Sequence, residues 1–258
     1  MKNFQENIIP AEKQNVQNVY VHGNTGIRIL FAGNSITKHA PKPIVGWTND
    51  CGMAASDIDH DYVHLLLKKI REVDPHAGYC IAQVADVERQ YDRSVVLEGY
   101  VEAAQFNADI VIMFFGANVP KDKCDPYPEQ VAIWEDTYQK ARNLFSNNGR
   151  AKVFHSEGFY IRPMLNAAKK RVADACVDTY ISLGDIPHRE DTHGIYNHPS
   201  DKGMEEIANC FWDAIRDTVL RFIIIKIVHR NKVRWMYRGQ KSEPGGTGKM
   251  GSNRFGRE

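Results

Sequence analysis

Three short segments carry residue types that together can perform acyl transfer. In Gly33-Asn34-Ser35-Ile36-Thr37 a serine sits behind a glycine that lets the backbone turn sharply. Such a serine can present both its hydroxyl and its own N–H, and as a nucleophile it needs a base and oxyanion donors. Gly116-Ala117-Asn118 supplies a carboxamide whose NH2 can donate to a developing oxyanion. The segment from His193 to Met204 supplies His198, placed just before a helix, as a general base. Taken singly, each has an ordinary reading, since Ser and Asn are common turn residues and most histidines sit half buried without a chemical role.

The elements that must position these groups alternate along the chain. Apolar, strand-like runs occupy 27–33, 78–84, 109–116, 151–158 and 178–183, and helix-like segments occupy 61–72, 97–107, 128–147, 163–175 and 200–220. The runs are short and nearly continuous, as expected of parallel strands covered on both faces. In the helix over 61–72, Val63, Leu66, Leu67 and Ile70 share one face. The pattern predicts an α/β fold, a three-layer α/β/α doubly wound parallel sheet of flavodoxin-like kind. Ligands of such sheets bind beyond the carboxyl ends of the strands. Ser35 and Asn118 follow two of those ends, and His198 precedes the last helix, for which Ser200 is the expected N-cap.

In this order the three segments resemble the SGNH (GDSL-like) hydrolases. GNSIT is similar to their first block, GAN to the third block G-x-N, and HPSDKGM to the fifth block H-P-x-D-x-G. The resemblance covers residues 26–218. GWTNDCGMAASDIDHDYVH (46–64) further resembles a bacterial subgroup that carries GNSIT. The resemblance implies Ser35 as nucleophile, His198 as its base, and Asn118 with the Ser35 N–H as oxyanion donors. The implied activity is a metal-independent serine esterase acting on a small O-acyl ester, an acetylated carbohydrate foremost, through an acyl-enzyme on Ser35. A short-chain lipase or thioesterase, and a degenerate domain that binds a glycan or other ligand without turnover, are the alternatives.

The sequence departs from the family pattern in three places. Asn34 replaces the Asp of G-D-S. The second-block glycine is missing from AQVADVER (82–89), so that either Ala85 or Gly52 would supply the backbone donor, with Gly52 preferred. The usual acid three residues before the histidine is replaced by Ile195. Either Ser35 and His198 act as a dyad, or an acid from the same loop orients the imidazole, Asp191 ahead of Glu190. Trp47 and Met53 are candidates to line an acyl or sugar pocket, with core packing as the equal alternative. His60 and His64, four apart behind Asp57, Asp59 and Asp61, could form a metal site but lack a third assigned ligand, and acids before a helix usually serve its N-terminus, so neither metal nor cofactor is expected.

Composition bounds the remainder. The chain has 258 residues, 33 Lys+Arg against 32 Asp+Glu, and 43% hydrophobic residues, which excludes a disordered, collagen-like or disulfide-scaffold protein. Residues 221–258 hold ten bases and two acids, leaving 23 bases and 30 acids before them: an acidic body with a basic tail. The division expected is an arm over 1–25, the hydrolase-like domain over 26–219, and a basic extension over 220–258 whose end reads as disordered. That extension is a candidate contact for an anionic partner such as RNA or a membrane surface, with an edge strand or helix extension as the plainer reading. Five cysteines scattered singly, and an N-terminus without an apolar signal core, point to a cytoplasmic protein with reduced thiols.

Overall fold

The computed structural model describes residues 18–23 and 25–239. Six strands form one sheet: β1 (Val19–His22), β2 (Arg28–Gly33), β3 (Gly78–Gln83), β4 (Ile110–Phe114), β5 (Lys152–Ser156) and β6 (Thr179–Ile181). Their order is β1-β3-β2-β4-β5-β6, and every pair is parallel except β1 with β3. The five parallel strands have the doubly wound order expected, with an antiparallel strand added at one edge.

Alternate residues of the strands feed two apolar layers. Leu30, Ala32, Val111, Met113 and Val153 belong to one core with Trp134, Tyr138, Ala141 and Phe145 of α5 (Pro128–Phe145) and Leu165, Ala168 and Val172 of α6 (Pro163–Cys176). On the other face, Phe31 and Phe114 meet Tyr62 of α1 (Tyr62–Val73) edge-on, and Phe211 of the last helix closes the cluster at 5.4–5.5 Å from Phe114 and Tyr62. With both faces covered, β2 and β4 are buried along nearly their whole length, which is why they read as continuous apolar runs. Helix α1 buries Tyr62, Val63, Leu66, Leu67 and Ile70, the stripe its spacing predicts, and each such side chain contributes about 1.5–3 kcal/mol on burial. The Asp61 side chain caps it by accepting the His64 N–H at 2.8 Å.

Four details differ from the sequence reading. Strand β1 lies in the segment expected to be an arm. A short helix, α2 (Ala85–Arg89), follows β3 directly, and the helix expected over 97–107 is instead a 3-10 segment (Ser94–Tyr100) running into α3 (Val101–Gln105). Gly99, inside that stretch, has the weak helix propensity that favours such a break. Finally, α7 (Asp201–Gly239) does not stop near Leu220. A short turn, α4 (Lys121–Cys124), precedes α5. The chain divides into two compact units after Leu220, and residues 240–258, including the whole of the expected disordered stretch, lie outside the described residues. Among the described residues no helix is long and apolar enough to cross a membrane. All five cysteines are free.

The chain goes from β2 to β3 on one side and then crosses back to β4 on the other. The loops leaving β2 and β4 therefore diverge at the topological switch point, where a doubly wound sheet has room for a ligand. Those are the loops of Ser35 and Asn118.

Candidate active site

The Ser35 turn is tightly folded back on itself. Thr37 and Lys38 donate their N–H groups to the Asn34 carbonyl at 3.0 Å, and the Asn34 side-chain oxygen accepts the Ile36 N–H at 3.1 Å. Thr37 packs onto Gly33 so closely that a Cβ at position 33 would overlap its hydroxyl, which itself is 2.8 Å from the buried Tyr62 hydroxyl. Glycine at 33 is thus required by space. Ser35 is left half buried, with its Oγ 2.8 Å from Nε2 of His198. Among the described residues no acceptor takes the Ser35 N–H.

His198 arrives from the far end of the chain on a pinned loop. Gly194 N–H donates to the His198 carbonyl at 2.6 Å, His198 N–H donates to the Ile195 carbonyl at 3.1 Å, and His193 bridges Pro199. Just beyond, the Ser200 Oγ accepts the Gly203 N–H at 3.2 Å, the expected cap of α7. Asp201 accepts the Ser56 N–H at 2.7 Å and ties the start of α7 to the loop over 46–60.

The second nitrogen of His198 defines the tautomer. Nδ1 lies 3.0 Å from the carbonyl oxygen of Tyr196. A carbonyl can only accept, so Nδ1 carries the hydrogen and Nε2 offers its lone pair to the Ser35 hydroxyl. Tyr196 and Asn197 both adopt left-handed backbone, φ 56° and 58°, in order to aim that carbonyl. Left-handed backbone costs a non-glycine residue of order 1–3 kcal/mol. Asn197 is steadied by its side-chain oxygen, 2.7 Å from Nδ1 of His193. Burial lowers the His198 pKa from its ordinary value, the Tyr196 carbonyl partly opposes this, and the charge of His39 adds to the lowering. Tyr160 meets the His198 ring edge-on at 6.0 Å.

Asp191 is not brought to this imidazole, which corrects the expectation that it orients His198. It is exposed, and its carboxylate pairs with Lys202 and with Arg189. The loop bends so that the Tyr196 main chain occupies the place an acid would take. Gly52 needs a similar correction. Its N–H donates to the buried Asp61 carboxylate at 3.1 Å and is not free for an oxyanion. Its role is close approach, because a Cβ there would come within 2.5 Å of the Ile36 carbonyl beside Ser35. The Ala85 N–H is likewise engaged, by the Gln83 side chain at 3.0 Å. Trp47 is buried, and its indole N–H donates to the His39 carbonyl at 3.1 Å, so it anchors the loop over 38–51.

Asn118 does stand near the Ser35 turn, through a residue the sequence reading passed over. Glu88 of α2, fully buried, accepts from the Asn118 side chain, from the Gly116 N–H and, at 2.8 Å, from the Asn34 side chain. Beneath the same loop the buried Lys169 donates to the carbonyls of Phe115 at 3.3 Å and Ser156 at 2.8 Å, and burial lowers its pKa to about 7. His60 and His64 turn to Asp57 and Asp61 respectively, and among the described residues no cluster of His, Cys, Asp or Glu could hold a metal ion.

No family model matches the chain, and no curated protein matches it. Among solved structures, a family two carbohydrate esterase from Cellvibrio japonicus aligns with a TM-score of 0.52 at 15% identity, covering 76% of this chain and 62% of that one. A second carbohydrate esterase structure, described for divergent catalytic and non-catalytic binding functions of its active site, aligns at 0.52 with 16% identity over 74% and 65% of the two chains. The chain shares the three-layer α/β fold of these two esterases. Axe2, an acetyl-xylooligosaccharide esterase from Geobacillus stearothermophilus, aligns at 0.49 with 17% identity over 75% and 95%.

Proposed function

We propose that this protein is a serine esterase that hydrolyses a small O-acyl ester through an acyl-enzyme on Ser35. The observation that carries this reading is the 2.8 Å approach of His198 Nε2 to Ser35 Oγ, in the tautomer a general base requires. The Ser35 hydroxyl proton passes to Nε2 as Oγ bonds the ester carbonyl carbon. The oxyanion so formed is met by the Ser35 N–H and the Asn118 carboxamide. The carbonyl then re-forms, the C–O bond to the alcohol breaks, and the Nε2 proton leaves with that alcohol. Water, deprotonated by His198, repeats the sequence on the acyl group and frees Ser35.

An acetylated carbohydrate is the substrate class favoured, because the fold is shared with carbohydrate esterases. One observation supports a second reading, a domain that binds such a ligand without turnover: a main-chain carbonyl, not a carboxylate, faces His198 Nδ1. A carbonyl dipole stabilises an imidazolium less than a full negative charge does.

The test is p-nitrophenyl acetate turnover and labelling by a fluorophosphonate probe, each beside Ser35→Ala. Loss of both in the variant supports the esterase. Labelling that survives in Ser35→Ala overturns the assignment of Ser35, and a wild-type protein inert to both reagents favours the binding domain.

A further inference from the structure

Glu88 is an unusual residue to bury. It is wholly shielded from solvent on a five-residue helix, α2, immediately after β3, and among the described residues every hydrogen bond to its carboxylate comes from an N–H. Oε1 accepts from the Asn34 side chain and from the Gly116 backbone, and Oε2 accepts from the Asn118 side chain. One donor flanks Ser35 in the chain and the other two belong to the loop after β4. The carboxyl group therefore sits between the two loops that diverge at the switch point, and it bonds both.

Two acceptor-only oxygens dictate how both carboxamides lie. Asn34 must turn its NH2 to Glu88, which leaves its oxygen for the Ile36 N–H at 3.1 Å and shapes the turn on which Ser35 stands. Asn118 must do the same. One of its two side-chain hydrogens goes to Glu88, and the second remains available to another acceptor. Resting on the esterase reading, we infer that Glu88 is a positioning residue for the oxyanion site: it holds Asn118 in the flip state and place from which its second N–H meets the oxyanion, and registers it against Ser35 through Asn34. Glu88 acts through Asn118 and does not touch the reacting atoms.

Replacement by glutamine isolates this role, because the side chain keeps its size while one acceptor becomes a donor. The arm at Oε1 faces two donors and the arm at Oε2 faces one, so the new NH2 turns to Asn118 and drives its carboxamide away. Removing an oxyanion donor outright costs about 100- to 1000-fold in kcat. For a displaced donor, Glu88→Gln is expected to lower kcat for p-nitrophenyl acetate on the order of 10- to 100-fold, with KM changed less than about three-fold.

A double-mutant cycle with Asn118→Ala separates positioning from a general loss of structure. Glu88→Gln combined with Asn118→Ala should be no slower than Asn118→Ala alone, and effects that multiply overturn the inference. Glu88→Asp keeps both acceptor oxygens and should recover part of the lost kcat. A kcat as low as that of Glu88→Gln, at equal melting temperature, also overturns it. The side-chain amide resonances of Asn118 read the contact without turnover. In the wild type, one proton bonded to the carboxylate separates the pair widely, and Glu88→Gln, or Glu88→Asp where the former does not fold, should alter that separation. An unaltered pair overturns the positioning role. Turnover that persists in Ser35→Ala instead overturns Ser35 as the nucleophile on which the reading rests and leaves the amide signature intact, so the two failures are distinguishable.

Discussion

The carbonyl oxygen of Tyr196 lies 3.0 Å from Nδ1 of His198, in the place where a carboxylate would orient a catalytic imidazole. The contact fixes the ring and its tautomer while contributing only a dipole. It is produced by two consecutive left-handed residues, neither of them glycine. In the esterase reading it makes Ser35 and His198 a dyad, and the exposed Asp191 belongs to a separate ion-pair group with Arg189 and Lys202.

Asp191→Asn should therefore leave kcat for p-nitrophenyl acetate within about three-fold of wild type, since surface ion pairs contribute only about 0–1 kcal/mol. Removing the acid of a working triad costs about 10⁴-fold in kcat. A loss approaching that size would show that Asp191 reaches His198 during turnover.

The pH dependence has a defined direction. In the esterase reading His198 must be neutral to accept the Ser35 proton, and burial lowers its pKa below the ordinary 6.5. The base form therefore persists into mildly acidic solution. The profile of kcat/KM should rise with pH through a midpoint below 6.5 and then level off. A midpoint at or above that value in the free enzyme would contradict the burial of His198.

Lys169 should leave its mark on stability. Its folded pKa is lowered to about 7 against an ordinary 10.5, so between those values the unfolded chain holds the proton that the folded chain has released. Where the unfolded state binds more protons, stability rises with pH. This contribution is least favourable below about pH 7 and improves as pH climbs toward 10.5. Neutral Lys169 still has two hydrogens for the Phe115 and Ser156 carbonyls. Urea unfolding of wild type and Lys169→Met at a series of pH values should show a positive slope in the difference between them across this window. A flat difference would mean that Lys169 stays charged in the fold.

Gly33→Ala should destabilise the protein by about 1–3 kcal/mol, the usual cost of overpacking. The new methyl group would displace Thr37, break its bond to Tyr62, and move the turn that carries Ser35. Melting temperature and kcat should fall together. A normal melting temperature would show that the turn relaxes more easily than its packing suggests.

The layers and the three loops are legible in the sequence because the central strands β2 and β4 are nearly continuous apolar runs ending in polar turns, and α1 displays its buried stripe at helical spacing. The orienting group on His198 is not, since a main-chain carbonyl has no residue type. Asp191 was chosen by nearness along the chain, but the loop folds it toward Arg189 and Lys202. Glu88 did leave a trace: Val84, Val87, Glu88 and Tyr91 fall at helical spacing, which puts an acid on an apolar face. The length of α7 was also visible, as no glycine or proline interrupts the chain between Gly203 and Gly239. Strand β1 leaves little signal because VYVH is only four residues long and only Val19 of it is buried.

That small strand has a consequence for which backbone the sheet leaves open at its edge. Without β1, the edge of the sheet would be β3, whose sequence GYCIAQ is uncharged and free of proline; β2 pairs with it along its whole length on one side and β1 covers Tyr79 to Ala82 on the other. Bared backbone of that composition is a template for joining sheets of separate molecules. A chain shortened to begin at Gly26 should keep the loops of Ser35, Asn118 and His198 and yet gain a tendency to aggregate through β3, whereas one that begins at Asn18 retains its guard strand.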